Sequence, residues 1–511
     1  MNNGISDTLL SQLSEFVSAH MGLYFTKNKW CDLERGIRFA APEFNFNDTE
    51  SFIQWVVSSS LTKRQVEILA SHLTVGETYF FRDKNSFNAL ERYIFPELIS
   101  SRQGNQQYLR IWSAGCSTGE EPYSIAILLS KMIFDLKDWN ITILATDIND
   151  HFLKKATKGV YSEWSFRDTP PWLKKRYFKR TKEGRFEILP HIKKMVNFSY
   201  LNLAEDIYPS LLGNTNAMDL IFCRNVLMYF APEVAKRAFY NLYQSLVDEG
   251  WLILSSTEVS NFAYSKFSTI NFPGATVYKK DLQRTGSAEY LDITVPFSIS
   301  PVWADLDLEF QSEPPLPVQT NTFEENIAHQ SAGDRDRKRI QEPQVATYEE
   351  ALTLYEQGHY GESAKKLLEL LSYNQEDQKA IALLVRAYAN QGIFDKAIEW
   401  CEKAVAANKL NPDCHYLLAT ILQEQGQVEE ALVTLRRALY LDPKFVLAHF
   451  MLGNLSQQKG KLKESRKYFD NALSLLSVLR QEDIVPESEG ITAGRLMEII
   501  RSMTHREDLH E

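Results

Sequence analysis

Cysteine is scarce. Five occur in 511 residues, Cys31, Cys116, Cys223, Cys401 and Cys414, and the number is odd. No pair stands at a metal-ligand or CxxC spacing, so no metal site and no disulfide framework is expected, and buried thiols in a reducing, cytoplasmic setting are. Long apolar runs are absent too, and none approaches a bilayer span. The opening MNNGISDTLL has neither a basic stretch nor a long apolar core, which speaks against a secretory signal. Work at a membrane would then need a partner to bring the chain there. Positive charge is in deficit, with net charge -10 and a pI near 5.6, which disfavours a general nucleic-acid binder. The length leaves room for about two to four domains.

What is present is organised around YLRIWSAGCSTGEEPYSIA, residues 108–126. Leu109, Ile111 and Trp112 form a short apolar run that predicts a buried strand. Small residues follow, and then Ile125, Leu128, Leu129 and Met132 recur at helical spacing. Strand, small-residue turn and helix open a nucleotide-type α/β fold, and Gly115 and Gly119 admit close approach of a ligand to backbone. The turn lacks the Lys of a P-loop and the three-glycine dinucleotide spacing. It carries Glu120 and Glu121 where a phosphate would need positive charge, so it suits a ligand with an amine and a sulfonium. The plainer alternative is tight packing.

Further along, residues 1–90 read as helical. Ser6-Asp7 caps a first helix, and Leu9, Leu10, Leu13, Phe16 and Val17 give its apolar stripe. Lys27, Lys29, Arg35 and Arg38 surround a second helix, either as a solvated face or as a cluster for an acidic protein surface. Residues 91–282 alternate strand and helix, which predicts a mostly parallel sheet with ligands at its carboxyl ends. Strands are expected at 141–145, 196–200, 219–223 and 251–254, with a closing hairpin turned by Pro273-Gly274. A small β-insertion is expected within about 160–194, around Glu183-Gly184. Residues 283–345, rich in Pro, Ser, Gln and acids, read as a flexible linker. In 346–476, Gly358, Gly392, Gly426 and Gly460 recur every 34 residues, with small residues at matching offsets. This is the period of tetratricopeptide helix pairs, which present a concave face to peptides. Residues 477–511 read as a helix and a charged tail, and the repeats as a module separable from 1–282.

Three stretches offer candidate chemistry. Asp147 ends the second strand, where an acid accepts hydrogen bonds from both ribose hydroxyls of a nucleoside; the alternative is an N-cap for the following turn. In TVGETYFFRD, residues 74–83, Thr78 and Arg82 are four apart and would share one helical face, or belong to an ordinary linker helix. In IFCRNVLMYF, residues 221–230, Tyr229 would carry its hydroxyl toward the cleft, or be a core tyrosine with one hydrogen bond.

Taken together, TVGETYFFRD, WSAGCSTGEEPYSIA, TDIN, YLNL and IFCRNVLMYF resemble, in order and spacing, the chemotaxis-receptor methyltransferases of the CheR family over roughly residues 5–282. With the repeats, the chain resembles a CheR protein with a tetratricopeptide extension, as in Wsp-type surface-sensing systems. The resemblance implies a Rossmann-like α/β methyltransferase with an N-terminal all-α subdomain and a β-subdomain. It implies S-adenosyl-L-methionine as methyl donor, and glutamate side chains on the cytoplasmic helices of a methyl-accepting chemotaxis-type receptor as acceptors. It puts Thr78 and Arg82 at the methionine carboxylate and the substrate glutamate, Glu121 at the methionine end and Asp147 on the ribose. Asn202 and Leu203 would flank adenine, Arg224 and Asn225 line the cofactor floor, and Tyr229 stand with Arg82 at methyl transfer. Many family members have Asn where this chain has Gly76, so only a backbone contact survives there. The short Arg180–Arg185 turn goes, in the family, with members that do not need a receptor C-terminal peptide. Two other readings stay open: a scaffold that has lost catalysis, and a methyltransferase with another substrate. Against the latter, Thr169-Pro170-Pro171-Trp172 lacks the acid or amide of amino-methylating motifs and precedes the third strand.

Overall fold

The computed structural model describes residues 5–102, 107–205, 207–259, 267–281, 290–292, 347–488 and 490–504. The amino-terminal helices are α1 (Asp7–Met21), α2 (Trp30–Ala40), α3 (Thr49–Ser58) and α4 (Lys63–Leu73). Ser6 caps α1 by accepting from the Leu9 amide at 3.3 Å, and Gly22 ends it in the left-handed region at φ 74°. Thr62 and Gln65 form a reciprocal capping box on α4. The stretch after α4 is not helical, so Thr78 and Arg82 do not share a helical face. Phe81 and Asp83 there have φ of 55° and 66°, which a helix cannot contain. Helices α5 (Lys84–Ala89) and α6 (Phe95–Arg102) follow, joined by a π-helical turn.

The main sheet contains β1 (Tyr108–Ala114), β2 (Asn140–Asp147), β6 (Val196–Tyr200), β7 (Met218–Phe222) and β8 (Leu246–Ile253), with helices α7 (Glu120–Met132), α8 (Asp150–Lys158) and α11 (Pro232–Ser245) in the connections. Strand order is β11-β9-β10-β8-β7-β1-β2-β6, and the five named strands pair in parallel. The chain runs outward from β1 in one direction and returns to β1's other side at β7, so the ligand crevice falls at the carboxyl ends around β1. Every residue of β1 is buried, as expected of a strand covered on both faces. The closing hairpin is β9 (Phe267–Phe272) and β10 (Ala275–Lys280), turned at Gly274.

Strands β3 (Val160–Tyr161), β4 (Phe178–Arg180) and β5 (Phe186–Ile188) form a separate antiparallel sheet in order β3-β5-β4, with α9 (Pro171–Tyr177) and α10 (Pro190–Lys193) beside it. Phe80 joins it to the approach segment, with ring centroids 4.9 Å from Phe166 and 5.0 Å from Phe178. A short helix α12 (Ser256–Val259) follows β8. Within the expected linker, β11 (Tyr290–Asp292) pairs in parallel with β9, which corrects that reading for these residues. The rest of 283–345 and the tail from 505 lie outside the described residues.

The repeats are α13 (Tyr348–Glu356) with α14 (Tyr360–Tyr373), α15 (Gln378–Asn390) with α16 (Phe394–Ala407), α17 (Pro412–Glu424) with α18 (Val428–Leu441), and α19 (Val446–Gln458) with α20 (Leu462–Leu476), followed by α21 (Ala493–Thr504). The four periodic glycines turn each pair at φ between 72° and 79°. The array is not a module hanging free on a tether. The Gly392 carbonyl accepts from Tyr108 Oη at 3.0 Å, and the Gln357 carbonyl accepts from Gln244 Nε2 at 2.7 Å and Tyr240 Oη at 3.1 Å. Tyr108, Leu211, Ala217 and Val247 share one core with Leu383, Leu384 and Phe394. At the centre Arg110 of β1 meets Glu424 at 2.5 Å, with both side chains almost wholly buried. These contacts lie toward the amino ends of the strands, opposite the ligand crevice. Among the described residues, no helix is long and apolar enough to cross a membrane.

Removing one member of a buried ion pair leaves the other charge stranded. Glu424→Ala should therefore destabilise the chain by about 3–5 kcal/mol and lower the melting temperature of the methyltransferase part together with that of the repeats. Calorimetry that showed only the repeat transition moving would contradict the docking.

Candidate active site

The small-residue turn folds tightly because two amides share one acceptor: Gly115 N and Cys116 N donate to the Thr146 carbonyl at 2.8 and 2.9 Å. Gly115 has φ 82°, and a Cβ on it would lie 2.3 Å from Val226. The turn then meets Asp147. Ser117 N donates to Asp147 Oδ2 and Asn149 N to Oδ1, each at 2.8 Å. The helix cap is Asn149, whose side chain accepts from the amides of His151 and Phe152. Asp147 is thus no N-cap; it is 9% exposed and faces the crevice with acceptor capacity on both oxygens. Burial pushes its carboxyl from 3.8 up to about 6, against the pull of the Asn149, Ser117 and Ile148 amides.

Behind the turn lies a charged cluster. Arg224, at the end of β7, donates to the Arg82 carbonyl at 2.9 Å and pairs with Asp83 at 3.2 Å and Glu121 at 3.4 Å. Ser113 Oγ donates to Glu121 at 2.8 Å. Burial raises the Glu121 carboxyl, and Arg224 and Ser113 oppose the rise. The left-handed residues on either side of Arg82 are held from without. Ser124 Oγ accepts from Phe81 N at 2.9 Å, and Arg224 grips Asp83. Strain at such positions persists only when neighbours over-determine it. Arg82 itself donates to the Glu77 carbonyl.

Glu258, which the sequence reading passed over, organises the loop after β7. Its carboxylate accepts from the amides of Asn225, Val226, Met228 and Ser255 at 2.8, 2.9, 3.2 and 3.1 Å. It follows β8 at a strand's carboxyl end, and that position was the available signal. The held loop presents Tyr229, whose carbonyl accepts from Tyr24 N at 2.7 Å and whose ring lies 5.6 Å from Lys29 Nζ. The other basic residues of that region pair with acids: Lys27 with Asp7, Arg35 with Asp32 and Arg38 with Glu34. The expected basic patch is correspondingly weakened; Lys29 and Arg35 are its members on the cavity wall, and Arg35 is already paired with Asp32.

A cavity of about 500 Å³ opens here, a size typical of small-ligand sites. Asp147, Asn202, Leu203, Asn225 and Tyr229 line it; Thr74 and Val75 do so at the start of the approach segment. Arg82, Glu121 and Arg224 stand together in the adjoining cluster rather than on its wall. Thr78 is half-buried on the approach segment, and Gly76 packs on Phe152, where a Cβ would stand 2.4 Å from the ring. That contact accounts for glycine at 76 and limits it to backbone. Ile148, Phe152, Leu201 and Leu203 supply apolar walls for a purine, Asp147 acceptors for ribose hydroxyls, and Ser117 Oγ is a buried hydroxyl without a hydrogen-bond partner. These residues fit a sulfonium nucleoside.

Only the ionised carboxylate accepts from two hydroxyls, so affinity for S-adenosylmethionine should rise as pH increases through about 6. In the free protein the sign is reversed. A carboxyl raised on folding contributes stability that is fully present below about 3.8 and lost as pH rises through about 6. Asp147→Ala should cost roughly 1–3 kcal/mol of binding at neutral pH and flatten the pH dependence. Calorimetric titrations giving equal affinities for both proteins across that range would remove Asp147 from the site.

The family model described as "CheR methyltransferase, SAM binding domain" matches residues 76–275. In the repeats, models for anaphase-promoting complex subunit 3, a TPR repeat and a tetratricopeptide repeat match 348–438, 420–460 and 446–475. The chain is 30% identical over 260 residues to a chemotaxis protein methyltransferase of Borreliella burgdorferi, covering 50% of this chain and 90% of the relative. It is 30% identical over 279 residues to chemotaxis protein methyltransferase 2 of Vibrio cholerae, covering 54% and 94%. It is 34% identical over 218 residues to chemotaxis protein methyltransferase 1 of Pseudomonas aeruginosa, covering 42% and 77%. The first two alignments leave no room in those relatives for a repeat array of this length. By fold, by cavity and by these matches, the chain belongs to the CheR family of methyltransferases, with a SAM-binding domain followed by tetratricopeptide repeats.

Proposed function

We propose that this chain transfers the methyl group of S-adenosylmethionine to glutamate side chains on the cytoplasmic helices of a methyl-accepting chemotaxis-type receptor. On this reading it works on the cytoplasmic side of the membrane, and its repeats bind protein. The observation that carries the proposal is the pairing of a nucleoside-type cavity, with Asp147 at its floor, with Tyr229 and Lys29 stacked at its wall. A hydroxyl and a cation beside a cofactor site suit an anionic acceptor. The names of the relatives support the same class of substrate.

When bound, the cofactor supplies a methyl group already activated on a cationic sulfur. A glutamate carboxylate is already a nucleophile near neutral pH, so the protein's task is alignment and exclusion of water. Asp147 holds the ribose. Arg82, whose backbone is set by the left-handed turn and by Arg224, places a positive charge in the cluster beside the cavity, which favours the incoming carboxylate. Tyr229 donates a hydrogen bond to the same carboxylate, and Glu258 keeps Tyr229 in place through the loop amides. The tight turn of the β-subdomain, closed by Thr181 N donating to the Arg185 carbonyl at 2.8 Å, favours recognition that does not depend on a receptor C-terminal peptide.

Purified chain, labelled S-adenosylmethionine and a receptor cytoplasmic fragment should give base-labile methyl incorporation into the receptor. Tyr229→Phe should fold and bind cofactor yet transfer roughly 10- to 100-fold more slowly, the scale of losing a positioning group. Wild-type rates in Tyr229→Phe would reduce Tyr229 to packing, and no incorporation above a receptor-free control would overturn the substrate assignment.

A further inference from the structure

The loop from Leu201 to Glu205 leaves β6 and brings Asn202 and Leu203 to the cavity. It is gripped from two sides by helices that lie far apart in sequence. On the amino-terminal side, the His20 carbonyl accepts from Asn202 Nδ2 at 3.3 Å, and a Cβ on Gly22 would stand 2.4 Å from Ala204 Cβ. On the repeat side, Arg495 in the first turn of α21 pairs with Glu205 Oε2 at 3.1 Å, and its guanidinium lies 5.6 Å from the Tyr200 ring centre. The other oxygen, Glu205 Oε1, accepts from Asn202 Nδ2 at 3.4 Å, while Asn202 Oδ1 accepts from Ala204 N at 3.0 Å. The relay therefore runs Arg495, Glu205, Asn202.

Arg495 is not a loose surface cation. Its side chain is 15% exposed and that of Glu205 35%. Helix α21 is seated by Ala493, Leu496, Met497 and Ile500 in the core of the last repeats, and Leu212, in the loop that continues from Glu205 toward β7, packs on the same core. A charge fixed on a packed helix costs little side-chain entropy to hold in place, which is what lets an ion pair act on its partner's geometry.

We infer that Arg495 is a positioning residue for cofactor binding: through Glu205 it sets the loop that presents Asn202 and Leu203 to the adenine side of the cavity. The inference rests on the cofactor site proposed above. It assigns the repeats a part in the methyltransferase site that relatives without repeats cannot share. It also predicts which kinetic constant feels the repeats. The loop touches the nucleoside end and not the transfer end, so cofactor affinity changes and the chemical step does not.

The test uses the full chain, with calorimetry for S-adenosylmethionine and labelled transfer for kcat and KM. Arg495→Ala should raise Kd and the cofactor KM by about two- to fivefold, the range for a partly exposed ion pair, with kcat unchanged. Arg495→Lys should restore wild-type affinity. Glu205→Gln should reproduce the loss, and the double variant should be no worse than either single one, because both act through one pair. If Arg495→Ala does not fold, Glu205→Gln on the other side of the pair carries the test alone. Unchanged Kd in the folded single variants, additive losses, or a fall in kcat at constant Kd would each overturn the inference. Asp147→Ala, measured alongside, separates the two claims. If it weakens binding and Arg495→Ala does not, the Arg495 relay alone fails; if neither weakens it, the cofactor-site reading fails and the relay with it.

Discussion

Strand β1 is the constraint on which the molecule is built. It is buried at every residue, paired in parallel on both sides, and used at both ends. At its carboxyl end the chain must turn within a few residues, and it does so by hanging two amides on the Thr146 carbonyl of the neighbouring strand. That fixes Ser117 against Asp147 and hence the floor of the cavity. In the same strand, toward its amino end, Arg110 is neutralised by Glu424 of the third repeat and held by the Asn216 carbonyl and the Asn214 side chain at 3.0 and 2.6 Å. The repeats and the cofactor turn are thus attached to one rigid element.

Around that strand the protein buries several charges, and each is held by more than one partner. Asp219 accepts from Arg110 N at 2.8 Å and pairs with Arg102 at 2.6 Å. Glu258 takes four amides, and Arg224 joins three separate segments. Such networks contribute little net stability relative to an apolar core, but they hold one geometry, because breaking any member strands the others. Of the left-handed, non-glycine residues near the site, Phe81, Asp83 and Asn225 fall where these networks attach, and Ser117 where the turn attaches to Asp147. Strain and its restraint coincide, as expected of a site that must be formed before its ligand arrives.

Periodicity and turn chemistry made much of this legible. The strand and helix around WSAG, the carboxyl-end position of Asp147 and the glycine period of the repeats are local patterns, and local patterns survive folding. The approach segment 74–83 did not read correctly, because helical spacing of Thr78 and Arg82 says nothing about the positive φ that Arg224 and Ser124 impose from distant strands and helices. Glu258, Glu424 and Arg495 escaped for the same reason. Each is an unremarkable surface-type residue in its own helix, and only the tertiary fold brings it a partner from elsewhere in the chain. The docking of the repeats was hidden behind a stretch whose composition reads as a tether. Composition describes the connection and not the surfaces at its two ends. For Asp147 the choice between cap and ligand group was decided by a neighbour, Asn149, which takes the cap itself.

A nucleoside cofactor lying across the carboxyl ends of β1, β2 and β6 shields the backbone amides there, and amide hydrogen exchange with and without S-adenosylhomocysteine, the demethylated cofactor, reads that shielding out. Binding should slow exchange together in three places: the turn Gly115–Gly119, the amides of Ile148 and Asn149 beside Asp147, and the loop Leu201–Glu205. Protection confined to other segments at saturating ligand, or none at all, would contradict it.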